Sequence, residues 1–156
     1  MAERLKKLLL KLISENQNGF TPGREISDSI ILVSEVIHSM HKENLNEMAI
    51  KLDVEKAYDR VLWNFLICVL KRFGFPSTWI KCIKQCISMV KFSILVNGNV
   101  CGFFLASNGL RQGDPLSPAL FVLMADVLEN LIQKRHVNGV WRGIWIHDQL
   151  DNITHT

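Results

Sequence analysis

The 156-residue chain has little of several things that would classify it at once. No window approaches the roughly 18 consecutive apolar residues of a helical membrane span. The leucine-rich N-terminus, Met1-Ala-Glu-Arg-Leu-Lys-Lys-Leu-Leu-Leu-Lys-Leu-Ile13, is interrupted by Lys11 after three leucines. No small-residue cleavage site follows it, so it reads as an amphipathic helix rather than a signal peptide. There is no run of one charge either: 18 Lys and Arg face 15 Asp and Glu, a net +3. That balance is compatible with a polyanionic partner but does not specify one. Cysteine is sparse, and Cys68, Cys82, Cys86 and Cys101 lack the paired CxxC spacing of zinc sites. Set in apolar periodic segments, they read as reduced core residues of an intracellular protein, nuclear or cytoplasmic. No repeat, linker or low-complexity stretch divides the chain, which has the length of one domain or part of one.

What is present alternates helix and strand signals. A basic amphipathic helix over residues 4–14 leads into the loop Asn16-Gln-Asn-Gly19 and Pro22-Gly23. Ser27 or Asp28 can cap a helix carrying Ile30, Ile31, Val33, Val36, Ile37 and Met40 at a period of 3.6, ending near Asn44. Met48-Ala-Ile-Lys-Leu-Asp53 predicts a short strand with Asp53 at its carboxyl end. Leu62, Phe65, Leu66, Val69, Leu70 and Phe73 form the next helical stripe, stopped by Gly74 and Pro76. Ser77 then caps a helix burying Ile80, Ile83 and Ile87. The period changes to two over residues 92–96 and 100–105, and Asn97-Gly98 between them signals a type I′ hairpin. An apolar helix over Leu116 to Ile132 and a last short strand over Trp141 to Ile146 complete the pattern. The expected class is α+β, with helices packed beside a small antiparallel sheet.

Two segments carry the chemistry. Lys51-Leu-Asp-Val-Glu-Lys-Ala-Tyr-Asp59 puts a carboxylate at a strand end and an aromatic five residues on. About fifty residues later, Gly109-Leu-Arg-Gln-Gly-Asp-Pro-Leu-Ser-Pro118 is a polar loop whose glycines allow close backbone approach to a ligand. Taken alone, Asp53 reads more readily as a cap of a following helix; the spacing to Tyr58 and the later loop reverse that in favour of a site. Asp59 reads as a helix cap or as an ion-pair partner of Arg60 or Lys56. Arg24 and Arg111 are either site residues or solvated charges. The tryptophans Trp63, Trp79, Trp141 and Trp145 read as packing anchors. His147, Asp148, Asp151 and His155 read as a polar tail rather than a metal site.

Leu12 to Arg24, Leu52 to Asp59, Phe73-Gly-Phe-Pro76 and Gly109 to Pro118 resemble, in order and spacing, the reverse transcriptase of LINE-type non-LTR retrotransposons, most closely its plant members. The resemblance covers nearly the whole chain. It implies part of a right-hand polymerase fold, with residues 1–45 in the fingers and 46–156 in the palm. It also implies an RNA template, a DNA primer and dNTP as partners. The primer 3′-hydroxyl would attack the α-phosphorus, with two Mg²⁺ stabilising the attacking and leaving oxygens. By resemblance, Asp53 and the carbonyl of Val54 are metal ligands, Asp53 being the catalytic carboxylate, and Tyr58 lies beneath the sugar and excludes a 2′-hydroxyl. Gln112 and Gly113 lie against the nucleotide and template, with Arg111 beside them and Arg24 a phosphate contact in the fingers.

The departures from the family pattern set the functional expectation. The second catalytic motif, an aromatic-Ala-Asp-Asp hairpin, is expected where the chain stops at Thr156, and the sequence holds no Asp-Asp pair. A fingers segment before Arg4, the thumb, an endonuclease domain and a Cys-rich tail are not found. A fragment of an RNA-directed DNA polymerase, inactive by itself unless the missing remainder joins it, is therefore the leading expectation. The alternative is a non-catalytic nucleic-acid-binding or interaction module derived from a retrotransposon. A phosphohydrolase built on Asp53 would want a second acid two residues on, and Glu55 is the wrong length for it.

Overall fold

A computed structural model describes residues 1–42, 46 and 48–143. Five helices and one hairpin are found among them: α1 (Ala2–Leu12), α2 (Ile26–Lys42), α3 (Trp63–Arg72), α4 (Ser77–Ser88), β1 (Lys91–Val96), β2 (Asn99–Leu105) and α5 (Ser117–Val137). The mixture of helices with a small antiparallel sheet agrees with the class expected from the periodicities. The chain divides into two compact units, one comprising Met1–Asp53 with the chain from Val122 onward, the other Val54–Phe121.

In the first unit, α1 buries Leu5 and Leu9 and leaves Leu8 and Leu10 exposed. That single apolar stripe is the amphipathic pattern expected of this basic segment. Ile13, Val36, Val122 and Leu123 are the other buried apolar residues among those described in the unit. Only Val36 of the α2 stripe is buried; Ile30, Ile31, Val33 and Ile37 are exposed. Neither Ser27 nor Asp28 caps α2, because the helix already begins at Ile26 and the Ser27 hydroxyl donates to the Glu25 carboxylate at 3.0 Å. The expected end at Asn44 lies outside the described residues.

Met48 to Asp53 is not a strand. Its alternating apolar residues Met48, Ile50 and Leu52 are 70–75 % exposed. Alternation confers β structure only where a second strand completes the ladder and a surface covers one face.

In the second unit, α3 and α4 pack together and bury Leu66, Val69 and Leu70 of one and Ile80 and Ile83 of the other. The turn between them closes α3 with paired bonds, Phe75 N–H to Leu70 O at 3.1 Å and Gly74 N–H to Lys71 O at 3.0 Å. This is the arrangement that the Gly-x-Pro punctuation of the sequence predicts. Leu62 and Phe65 lie off the buried stripe and are exposed. Ser77 is not a cap: Pro76 holds that position and no side-chain bond closes the turn.

The hairpin turns at Asn97 and Gly98, with φ of 50° and 80°, as a type I′ turn requires. Its register slips between Phe92 and Ile94, where β2 carries one extra residue beside Gly102. The helices do not cover this sheet. Every residue of β2 is exposed, and in β1 only Phe92 is sheltered. The four cysteines are free, but all are exposed, which overturns their reading as core residues. Cys68 lies off the α3 stripe, and Cys101 lies in the uncovered strand. Finally, α5 runs five residues beyond Ile132. It is closed by Gly139 N–H to His136 O at 2.8 Å and Val140 N–H to Arg135 O at 3.0 Å, a cap that Asn138-Gly139 signals. Of the expected last strand, Trp141 to Gly143 is irregular and the rest lies outside the described residues, as do Trp145 and the His147 to His155 tail.

Candidate active site

The second unit joins the two chemistry-bearing segments through their backbones. Residues 55–60 form turns rather than a helix, with Lys56 at φ 52°, an unusual conformation for a residue with a side chain. Arg60 N–H returns to Lys56 O at 3.1 Å. Against this turn lies the start of the polar loop: Leu110 N–H donates to Tyr58 O at 2.9 Å and Gly109 N–H to Val61 O at 2.8 Å. Two side chains reinforce the junction. Asn108 Nδ2 donates to Asp59 O at 2.8 Å, and Trp63 Nε1 donates to Gly109 O at 2.7 Å. A β-carbon on Gly109 would stand 3.1 Å from Asp59 O and 3.2 Å from Asp59 Cα, and φ there is +89°. Glycine is therefore required by both space and conformation.

Asp114 shapes the rest of the loop. One carboxylate oxygen pairs with Arg111 Nη2 at 2.8 Å, and the other accepts the Leu116 amide at 2.9 Å, just before α5 begins. An acid bonding the amide two residues on makes a turn that leads into the helix, and its charge lies near the positive end of the helix dipole. Arg111 is thus held in an ion pair, whereas Gln112 and Gly113 are exposed. Tyr58 stacks on Phe121 of α5, centroids 5.1 Å apart and planes 14° apart. Partial burial raises the pKa of its hydroxyl, because the phenolate would lose hydration. A cavity of about 440 Å³ opens beside the junction, lined in part by Asp59, Cys86, Ile87, Phe92, Arg111 and Gln112. Asp59 pairs with neither Arg60 nor Lys56 here; Arg60 instead reaches Glu55 at 4.0 Å, an exposed contact worth little.

Asp53, in the first unit, and Val54, in the second, are exposed and lie in irregular chain. Their carboxylate and carbonyl oxygens suit Mg²⁺ in kind, since hard cations take oxygen donors. They do not suit a pair of ions in number. Among the described residues no three His, Cys, Asp or Glu gather in a way that could hold a metal. Arg24, in the first unit, directs Nη1 to the carbonyls of Ser14 and Gln17, the latter at 2.7 Å, and so ties its own loop together. Any phosphate contact would have to use its other donors.

Sequence reasoning missed several bonded residues. Asp126 is 1 % exposed; one of its oxygens accepts the Ser14 amide at 2.7 Å, the other the Asn130 amide group at 2.6 Å. A single acid within the apolar run of α5 was the available signal, because such a carboxylate must be bonded to be buried. For Asp114 the signal was an acid placed just before an apolar helix. Trp63 and Asn108 give none, since their partners are carbonyls some fifty residues away.

Residues 1–154 match the family model described as reverse transcriptase (RNA-dependent DNA polymerase). The chain belongs to the reverse transcriptase family. Its relatives include a 149 kDa protein of transposon TX1 from Xenopus laevis, 30% identical over 85% of this chain and 10% of the relative. Another is the retrovirus-related Pol polyprotein of a type-2 retrotransposable element of Drosophila melanogaster, 30% identical over 72% of this chain and 11% of the polyprotein. An uncharacterized mitochondrial protein of Arabidopsis thaliana is 41% identical over 39% of the chain and 50% of its own length. This reverse transcriptase chain therefore spans about a tenth of the transposon proteins it matches, which are of the non-LTR kind. No helix among its described residues is long and apolar enough to cross a membrane.

Proposed function

We propose that these residues form part of the fingers, about 1–45, and of the palm, 46–156, of an RNA-directed DNA polymerase from a non-LTR element. The observation that carries this reading is the backbone junction of Tyr58 and Val61 with Leu110 and Gly109, which brings the aromatic of the first segment to the loop of the second. A polymerase needs such a junction, because the sugar and the base of one nucleotide must be gauged together. In this role Asp53 binds the metal ions with its carboxylate, and the Val54 carbonyl adds a further oxygen. When bound, two Mg²⁺ supply charge stabilisation for the attacking and leaving oxygens of the transfer. Tyr58 supplies a stiff wall against a 2′-hydroxyl, Gln112 and Gly113 face the nucleotide and template, Arg111 lines the loop, and Arg24 contacts the nucleic-acid backbone. Template RNA, DNA primer and dNTP are the partners. The likeness to the Arabidopsis protein supports a plant element, and free exposed thiols suit a reducing compartment, nuclear or cytoplasmic.

These 156 residues hold no Asp-Asp pair, and one carboxylate cannot hold two Mg²⁺ in place. The chain by itself is thus inactive, and catalysis requires the aromatic-Ala-Asp-Asp segment from elsewhere. Primer extension on poly(A) with oligo(dT), Mg²⁺ and dTTP tests this. The chain as given should incorporate nothing, and one extended through that segment should incorporate dTTP. Incorporation by the shorter chain would refute the argument about the metal site. Salt-sensitive RNA binding by both chains without incorporation by either would favour a binding module instead.

A further inference from the structure

We propose that Trp63 and Asn108 are positioning residues for nucleotide selection, fixing where Tyr58 and Gln112 stand relative to one another. The inference rests on the polymerase reading above and asks what holds its selective parts in place. Gly109 is pinned on three sides: its N–H to Val61 O at 2.8 Å, its carbonyl by Trp63 Nε1 at 2.7 Å, and its α-carbon against the Asp59 backbone. Asn108, one residue earlier, grips Asp59 O at 2.8 Å, so the two peptides flanking Asp59 are bonded through their carbonyls to Leu110 and Asn108 of the loop. Gln112 follows three residues after this pin, and beyond it Asp114 fixes the loop to Arg111 and to the Leu116 amide. Tyr58 is steadied from the other side by its stack on Phe121.

The turn that carries Tyr58 has little else to hold it, since residues 55, 56, 59 and 60 are exposed. Two of the junction's donors are the side chains of Trp63 and Asn108, so its strength depends on residue type there as well as at Gly109. A steric test for a 2′-hydroxyl works only if the wall does not yield. A positioned group that is free to shift loses part of the selectivity it was placed to give. Loosening the pin should therefore weaken nucleotide binding and sugar discrimination before it weakens the chemical step.

The test uses the chain extended through the aromatic-Ala-Asp-Asp segment, with Trp63→Phe, which keeps a ring and loses the N–H, and Asn108→Ala, whose side chain is exposed and whose loss leaves the core intact. On poly(A) with oligo(dT), KM for dUTP should rise roughly fivefold in each variant, the worth of one hydrogen bond, while kcat changes less than about twofold. Preference for dUTP over UTP should fall by a similar factor. Unchanged KM and unchanged preference in a folded Asn108→Ala would overturn the proposal, as would activity lost only in proportion to folded protein. If the extended parent is active and needs Asp53, such a result rejects the positioning role alone. An extended parent that incorporates nothing removes the polymerase reading and this inference with it.

Discussion

Asp126 stands in α5 at 1 % exposure with both oxygens bonded, one to the Ser14 amide and one to Asn130, while Asp53 lies exposed at the end of an apolar segment that forms no strand. The same contrast runs through their surroundings. Around Asp126 the chain is tied down, with Arg24 bonded to the Ser14 and Gln17 carbonyls and Asn16 reaching Glu129 at 3.1 Å. Around Asp53, Met48, Ile50, Leu52 and Val54 present apolar side chains to solvent. A carboxylate that already satisfies two donors has little left to offer a metal ion, whereas an exposed one keeps its oxygens for a ligand. The buried acid is thus a structural group, and the exposed acid keeps its oxygens open to solvent, as the metal-binding role proposed for it requires.

Substitutions can break this contrast if it is false. Asp126→Ala should cost most, about 3 kcal/mol in urea unfolding, because the half-buried Ser14 amide loses its charged partner, Asn130 keeps only the Asp126 carbonyl, and a buried side chain is truncated. A loss below about 1 kcal/mol would mean that the site relaxes to water and that Asp126 is not structural. Gly109→Ala should come next at about 2 kcal/mol, since the new methyl meets backbone at 3.1 Å in a left-handed conformation. Ile50→Thr with Leu52→Thr should change stability by no more than about 0.5 kcal/mol each, as expected of exposed positions. A larger cost would show that the segment is covered in solution.

The smallest effect is one of pH. Burial raises the Tyr58 pKa above its ordinary 10.0, so the folded state prefers the neutral phenol. That preference contributes its full stability below pH 10 and loses it as pH rises through the higher folded value. Tyr58→Phe should therefore flatten the alkaline limb of the stability profile, read by fluorescence-detected unfolding between pH 9 and 11.

Local signals were legible where the structure satisfies them locally. The Asn97-Gly98 turn, the Gly74 stop and the buried stripes of α3 and α4 follow from neighbours within a few residues. The 48–53 strand failed because its alternation needs a pairing strand that the described residues do not provide. The cysteines misled because an apolar helix segment says nothing about which of its faces is covered. At the candidate site, the sequence indicated Tyr58 and the Gly109 to Pro118 loop, but the bonds that join them run from the Gly109 and Leu110 amides and from the Trp63 and Asn108 side chains to backbone carbonyls. Carbonyls are common to every residue, so no sequence pattern announces such a pairing.

The most direct measurement is Asp53→Ala in the chain extended through the aromatic-Ala-Asp-Asp segment, scored at once for urea unfolding and for Mg²⁺-dependent dTTP incorporation. The account predicts an unfolding midpoint indistinguishable from the parent and incorporation reduced to background. Retained incorporation, or incorporation lost only in step with stability, would contradict the assignment of Asp53 as the metal-binding carboxylate.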